Sequence, residues 1–567
     1  MDNNRSSWGS NLGFLLAAIG SAVGLGNIWG FPYKMGKSGG FTFLIVYLFL
    51  AIFVGMIIMV SELAVGRKTK LSPIDAYQKV TKKFAWIGWL ATIAPFLIMS
   101  FYTVLGGYCL QYIALNMTKL SFGNEAVAMS GGDVFGAMLT TPLGCVVFTI
   151  LFIIICMVIV QGGVSGGIEK FNKVGMPALF VMLLIIIVRS LTLPNASEGL
   201  KFMFVPGYAV SAGFIDQAPD LITVLGTAGG QMFFSLSLAM GAILTYGSYL
   251  SKEENLVKNS VIIVAADTLI ALMAGIAVIP AAVSYGLSQG MAPGEITLRG
   301  PGLLFITLQD VFSNMGALGP LFGVIFYVLV LIAAISSAIS LMETIAAHWI
   351  DKDLAKGETD TRQRNVLIVS LLILVEAVVV AADGLGSNFS PASLLGMKTM
   401  PTFLDCFLDF MDCWSEGIAM PLGAMLMALM IGWENTPDLV LDEVAHGDPS
   451  AGFKAFYRVC VKFVVPIVMA FVLAGQMIDF FGGASAIWYI VAFGLLVVFW
   501  LFAAAGKKTE YTFQDASYNL LRGRPRSIGR GRFLHKAAFF VSGEARKRCV
   551  ETGRNRTLAT MELYGIL

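Results

Sequence analysis

A chain of 567 residues that is 57% hydrophobic and 13% charged, with a mean hydropathy of +0.78, lies far from the soluble mix, in which about a quarter of residues are charged. It excludes a water-soluble globular enzyme and describes a polytopic membrane protein. The formal net charge of +2 is small but unevenly placed: beyond Gly506 a tail carries thirteen Lys or Arg against five Asp or Glu, and without it 25 basic residues face 31 acidic ones, net −6.

Uncharged apolar runs of about 20 residues, enough to cross a ~30 Å hydrocarbon core, recur twelve times, centred near residues 22, 53, 101, 152, 181, 236, 271, 334, 374, 418, 468 and 495. An even count puts both ends of the ladder on one side. Eighteen Lys and Arg gather on that side and seven on the other, so both termini are expected in the cytoplasm, with the protein multi-pass in a plasma or bacterial inner membrane. No short apolar run is followed by a small-residue cleavage site, and no cleavable signal is expected.

The first run, Ser6 to Tyr33, has no charged residue yet contains GSAVGLGNIWGFPY. Its four glycines weaken a helix by ~1 kcal/mol each relative to Ala. They serve either close helix packing or a deliberate break. The sixth run, Leu221 to Ser251, repeats the oddity: Gly229, Gly230, Gln231, Ser235, Ser237 and Gly241 fall where the bilayer midplane should lie. The two broken runs stand five spans apart, so the second five-span unit enters the membrane in the opposite sense. The expected fold is therefore all-α with twelve transmembrane helices, a 5+5 inverted repeat over about 10–191 and 221–432, and discontinuous helices 1 and 6. Two further helices within 458–506 complete a transporter domain of residues 1–506, followed by the tail 507–567. Unwound backbone at mid-membrane is tolerated only where it lines a cavity or binds something. Freed amides suit a carboxylate and freed carbonyls a small hard cation.

Three loops are long: 193–220 and 287–318 on the outer side, and 434–457 on the inner side. The second holds Pro301 followed by amphipathic residues, which predicts a short helix on the outer mouth, placed to act as a lid. Seven Cys are scattered without a CxxC, and His348, His446 and His535 lie far apart, so neither a disulfide framework nor a thiolate or histidine metal site is expected. No nucleophile, base and orienter set suggests an enzyme.

Arg5 and Trp8, then GSAVGLGNIWGFPY, SELAVGR, SFYTVLGGY, GQMFFSLSLAMGA, LTYGSYL and AAISSAISLME, resemble the neurotransmitter:sodium symporter family, in particular its bacterial amino-acid transporters, from Arg5 to Gly506. The resemblance implies two sodium sites and no organic cofactor. The first would use the Ala22 carbonyl, the Asn27 side-chain oxygen and Ser235, completed by the substrate carboxylate. The second would use the carbonyls of Gly20, Val23 and Ala333 and the hydroxyls of Ser336 and Ser337. The carboxylate of an amino-acid substrate would meet the amides of Leu25 and Gly26 and the hydroxyl of Tyr102, and its ammonium the carbonyls near Ala22 and Phe234, with Ser237. Ile98, Tyr102, Phe234, Met240, Ser337 and Leu341 would line the side-chain pocket, where the adaptable thioether of Met240 suits large hydrophobic or aromatic groups. Members that move monoamines carry Asp at the position of Gly24, so Gly24 points to an amino acid.

The same resemblance implies an inner ion pair of Arg5 with Asp351, supported by Trp8, Ser248 and Tyr249, and an outer acidic gate at Asp412 above an aromatic lid of Tyr102 and Phe234. The usual outer Arg is replaced by Gly30, and Gln231 is the candidate to hydrogen-bond Asp412 in its stead. Asp267, an acid inside an apolar run, is a functional candidate by its cost alone. Beside the sodium sites it would supply the fixed anion of chloride-independent members. Glu62 in SELAVGR reads as structural. The tail has no counterpart in the family pattern, and its basic residues suit an anionic lipid leaflet better than nucleic acid, so no nucleic-acid partner is expected. The implied activity is sodium-coupled amino-acid uptake by alternating access. The alternative is a channel or a non-transporting amino-acid receptor on the same fold.

Overall fold

The computed structural model describes residues 6–123, 129–296, 298, 302–359, 361–397, 401–447, 449–483 and 485–505. Arg5, Pro301 and the tail 507–567 lie outside the described residues. All regular structure among those described is helical. Among the described residues, ten helices are long and apolar enough to cross a bilayer unbroken. The first apolar run forms α1 (Asn11–Ala22) and α2 (Gly26–Lys37), bent by 46° at the break. Then come α3 (Phe41–Thr69), α4 (Ile87–Phe122), α5 (Pro142–Gln161) and α6 (Val164–Leu191). The sixth run is likewise two pieces, α7 (Leu221–Ser235) and α8 (Ala242–Ser248). The remaining spans are α9 (Leu256–Ser288), α10 (Gly316–Ala355), α11 (Arg362–Asp383), α12 (Phe407–Glu434), α13 (Ala451–Phe481) and α14 (Ser485–Ala504). The glycines of both opening segments thus mark breaks rather than packing alone.

Local chemistry sets these ends. The Ser10 side chain accepts the Gly13 amide to start α1, and Asp220 accepts the Thr223 amide to start α7, each satisfying a donor that has no partner inside its helix. Between α7 and α8 the chain turns through left-handed backbone at Ser237 (φ 53), Ala239 (φ 60) and Gly241 (φ 72). Such a conformation costs a non-glycine residue ~1–2 kcal/mol, so two of these three residues must be held from outside. Glu62 on α3 supplies one hold by accepting the Ala239 amide at 3.0 Å, and Ser237 supplies another by donating to the Ser21 carbonyl at 2.7 Å.

The long helices α4 and α10 form the most extensive pair and carry one wall of the core. The helix expected beyond Pro301 runs Leu303–Ser313. Phe305 on it is buried, stacks on Phe135 (5.8 Å between centroids) and abuts Tyr112 (5.1 Å). At the periphery, only Ala492 and Ala503 of α14 are buried.

Candidate substrate and ion site

The two breaks face one another across a cavity of about 10 Å³ lined by Ser21, Ala22, Gly24, Gly26, Ile98, Tyr102, Phe234, Ser237, Met240, Ser337 and Leu341. Nine of the ten residues expected to hold substrate line it. The tenth, Leu25, donates its amide to the Tyr102 hydroxyl at 3.0 Å. A volume near that of one water admits no amino acid until side chains shift. The rings of Tyr102 and Phe234 lie 6.2 Å apart over the cavity. Gly24 is required by close approach: a Cβ there would run into the Ser337 and Tyr102 hydroxyls.

Beside this cavity the five groups expected at the second ion site converge. Ser336 Oγ lies 3.3 Å from the Val23 carbonyl and 2.9 Å from that of Ala333, while Ser337 Oγ lies 3.4 Å from the Gly20 carbonyl and 3.0 Å from that of Ser21. The hydroxyls donate to these carbonyls, and hydroxyl and carbonyl oxygens together make a neutral, oxygen-only set of the kind that suits a monovalent hard cation.

Asn27, Ser235 and Asp267 form a third buried group. Asn27 Nδ2 donates to Asp267 Oδ1 at 2.7 Å, and Ser235 donates to the same carboxylate at 3.0–3.1 Å. Tyr47, which sequence reasoning missed, donates to Asp267 Oδ2 at 3.3 Å. With their hydrogens directed at Asp267, the Ser235 hydroxyl keeps its lone pairs, and the Asn27 amide oxygen faces the other way, where it accepts the Gly24 amide at 3.0 Å. Asp267 thus orients two expected ligands from behind. Its carboxylate is fully buried, and among the described residues no Lys or Arg is one of its hydrogen-bond partners.

At the face that carries the basic loops, Trp8 donates to the Tyr246 carbonyl at 3.1 Å and sits edge-on to Tyr246 and Tyr249. Asp351 accepts the Ser72 amide at 2.7 Å. Ser248 donates to the Thr245 carbonyl of its own helix at 2.5 Å, because a serine in the last turn of α8 finds that acceptor first. Tyr249 donates at 2.7 Å to Glu343, which also pairs with Arg362. Glu343 and Arg362 went unnoticed in the sequence, although Glu343 closes the motif AAISSAISLME. Nearby, His348 meets Asp75 at 3.1 Å, and that contact holds the Asp75 carboxyl below its ordinary range.

A second chamber, about 410 Å³, shares Phe234 with the first and is also lined by Gly30, Lys34, Gln231, Asp412 and Glu416. Here one sequence expectation is not met. Gln231 does not reach Asp412; its Nε2 donates to the Gly26 carbonyl at 2.7 Å. That carbonyl also accepts the Phe31 amide in the first turn of α2, so the side chain takes its second lone pair, and Gly30 leaves the Gln231 amide room to reach it, since a Cβ at 30 would stand 2.7 Å from Gln231 Oε1. Asp412 Oδ1 and Gln231 Oε1 have no hydrogen-bond partner among the described residues.

The model of the sodium:neurotransmitter symporter family matches residues 5–125 and 136–506. The chain is 34% identical over 469 residues to the uncharacterized sodium-dependent transporter YhdH of Bacillus subtilis, an alignment covering 82% of this chain and 96% of that one. It is 30% identical over 437 residues to the uncharacterized sodium-dependent transporter MJ1319 of Methanocaldococcus jannaschii, covering 76% and 82%. The crystal structure of MhsT in complex with L-phenylalanine superposes with a TM-score of 0.71 at 33% identity, covering 83% of this chain and all of that one. Broken spans one and six, helices in family order and a family match over nearly the whole membrane domain lead to one conclusion: the chain belongs to the sodium:neurotransmitter symporter family, a family of sodium-coupled membrane transporters and not of enzymes.

Proposed function

We propose that this protein is a symporter that couples inward sodium movement to uptake of an amino acid with a large hydrophobic or aromatic side chain, without a chloride requirement. The observation that carries the reading is the meeting, at two helix breaks, of an apolar pocket with an amide-and-hydroxyl end and two buried groups of ion-competent oxygens. The substrate carboxylate would take the Leu25 and Gly26 amides and Tyr102 while completing the first sodium shell with Ala22, Asn27 and Ser235. Ion and substrate then each bind better in the presence of the other, which is coupling in the thermodynamic sense. The second sodium would lie among Gly20, Val23, Ala333, Ser336 and Ser337.

Support for the substrate class comes from Ile98, Met240 and Leu341 around the pocket, from the absence of room for an acid at Gly24, and from the phenylalanine bound by MhsT. Charge placement supports cytoplasmic termini, with the 410 Å³ chamber opening outward. Ligand-induced thermal stabilisation of the purified protein, measured with each of the twenty amino acids in sodium and in choline buffer, tests the reading. Stabilisation by large apolar amino acids in sodium alone is expected. Equal shifts in both buffers, or preference for charged amino acids, would refute it.

A further inference from the structure

Building on the symporter reading, we propose that Lys34 and Glu416 form the latch that closes the outer chamber, in place of a pair between positions 30 and 412. Gly30 offers no side chain, and Asp412 Oδ1 has no hydrogen-bond partner among the described residues. One turn along each helix the missing charges reappear. Lys34 stands four residues beyond Gly30 on α2, about 6 Å farther toward the outer face at 1.5 Å per residue. Glu416 stands four residues beyond Asp412 on α12, which runs the other way, so it lies one turn deeper. The flexible lysine stem reaches down, and its ammonium is ion-paired to Glu416 Oε1.

The meeting point is the floor of the chamber. Glu416 Oε1 lies 2.9 Å from where a Cβ on Gly230 would stand, and the neighbouring Gln231 Oε1 lies 2.7 Å from where one on Gly30 would stand. The pair therefore sits where α2, α7 and α12 converge, ties the outer half of broken span one to α12, and lines the same chamber as the aromatic lid residue Phe234. Exposure separates it from the other pair on this helix. Lys34 and Glu416 side chains are 14% and 7% exposed, whereas those of Lys37 and Asp479, 3.2 Å apart, are 39% and 29% exposed. Solvent and salt screen the outer pair and leave it little strength, while the inner pair keeps more of its attraction. Widening the chamber between α2 and α12 separates Lys34 from Glu416. The contact is made only while α2 and α12 stand close, so it biases the equilibrium toward the narrower chamber.

The test is outside accessibility of a cysteine placed in the chamber, Thr227→Cys in a Cys406→Ser background, since both residues line it. Right-side-out vesicles are labelled with a membrane-impermeant maleimide, and sodium-dependent amino-acid binding is measured on the same samples. Lys34→Gln and Glu416→Gln should each speed labelling about fivefold, the scale of a partly screened ion pair. The double variant should be no faster than either single one, and Lys34→Arg should label at the unmutated rate. Unchanged labelling in the single variants, an additive double variant, or lost thermal stability with unchanged labelling would overturn the latch. Where a single variant does not fold, Lys34→Met with Glu416→Met leaves no uncompensated charge; labelling of that double variant at the unmutated rate overturns the proposal equally. Failure of sodium-dependent binding in the unmutated protein would instead refute the symporter reading.

Discussion

Asn27 shows how much one side chain is asked to do. Its Nδ2 is fixed on Asp267 and its Oδ1 lies at the break between α1 and α2, accepting the Gly24 amide. Asn27→Leu keeps the bulk, removes the oxygen, and strips the buried Asp267 of a charge-assisted donor worth ~1.5–3 kcal/mol. Substrate binding should weaken by tenfold or more and lose its sodium dependence, as read by isothermal titration in sodium and choline. At the pocket wall, Met240→Phe replaces an adaptable chain with a rigid ring and should shift preference from phenylalanine toward smaller aliphatic amino acids by ~1–3 kcal/mol, measured by competition. These positions were legible because each stands in a recognisable run of residues. Tyr47 was not: it lies 220 residues from Asp267, and an isolated tyrosine in an apolar helix carries no local sign of its partner. Gln231 was legible as a polar residue at a break, but not its acceptor, because a backbone carbonyl 205 residues away leaves no trace in residue types.

At the scale of elements, the break between α7 and α8 depends on α3. Glu62 spends one carboxylate oxygen on the Ala239 amide, in a segment where Ser237 and Ala239 both take left-handed backbone. Glu62→Leu leaves that amide without an acceptor and should destabilise the fold by ~1–3 kcal/mol, seen as a lower unfolding temperature in detergent and slower uptake, whereas Glu62→Gln, which keeps an acceptor, should lose less. The breaks themselves could be read in sequence, since glycines and polar residues interrupt otherwise uncharged runs. What holds them open could not, because 177 residues separate Glu62 from Ala239. The same limit applies at the basic face, where Tyr249, Glu343 and Arg362 join three helices. Ser248, placed by its neighbours in the motif LTYGSYL, turns back on its own helix.

For the whole molecule the question is how charge moves through a low-dielectric core. Sodium ions beside the pocket would leave positive charge uncompensated, and Asp267 behind Asn27 and Ser235 would offset it with a fixed carboxylate. Uptake should therefore persist when gluconate replaces chloride, and Asp267→Ser should make uptake chloride-stimulated or abolish it; an unchanged rate and anion response in that variant would leave Asp267 a purely structural part. The central claim, that sodium drives accumulation of a large apolar amino acid, is tested most directly by uptake of radiolabelled phenylalanine into liposomes holding the purified full-length protein. With an inward sodium gradient, sodium coupling predicts saturable accumulation above the equilibrium level, which collapses when choline replaces sodium or when the gradient is dissipated. Accumulation that is equal in sodium and choline, or flux that never saturates and never exceeds equilibrium, would contradict it.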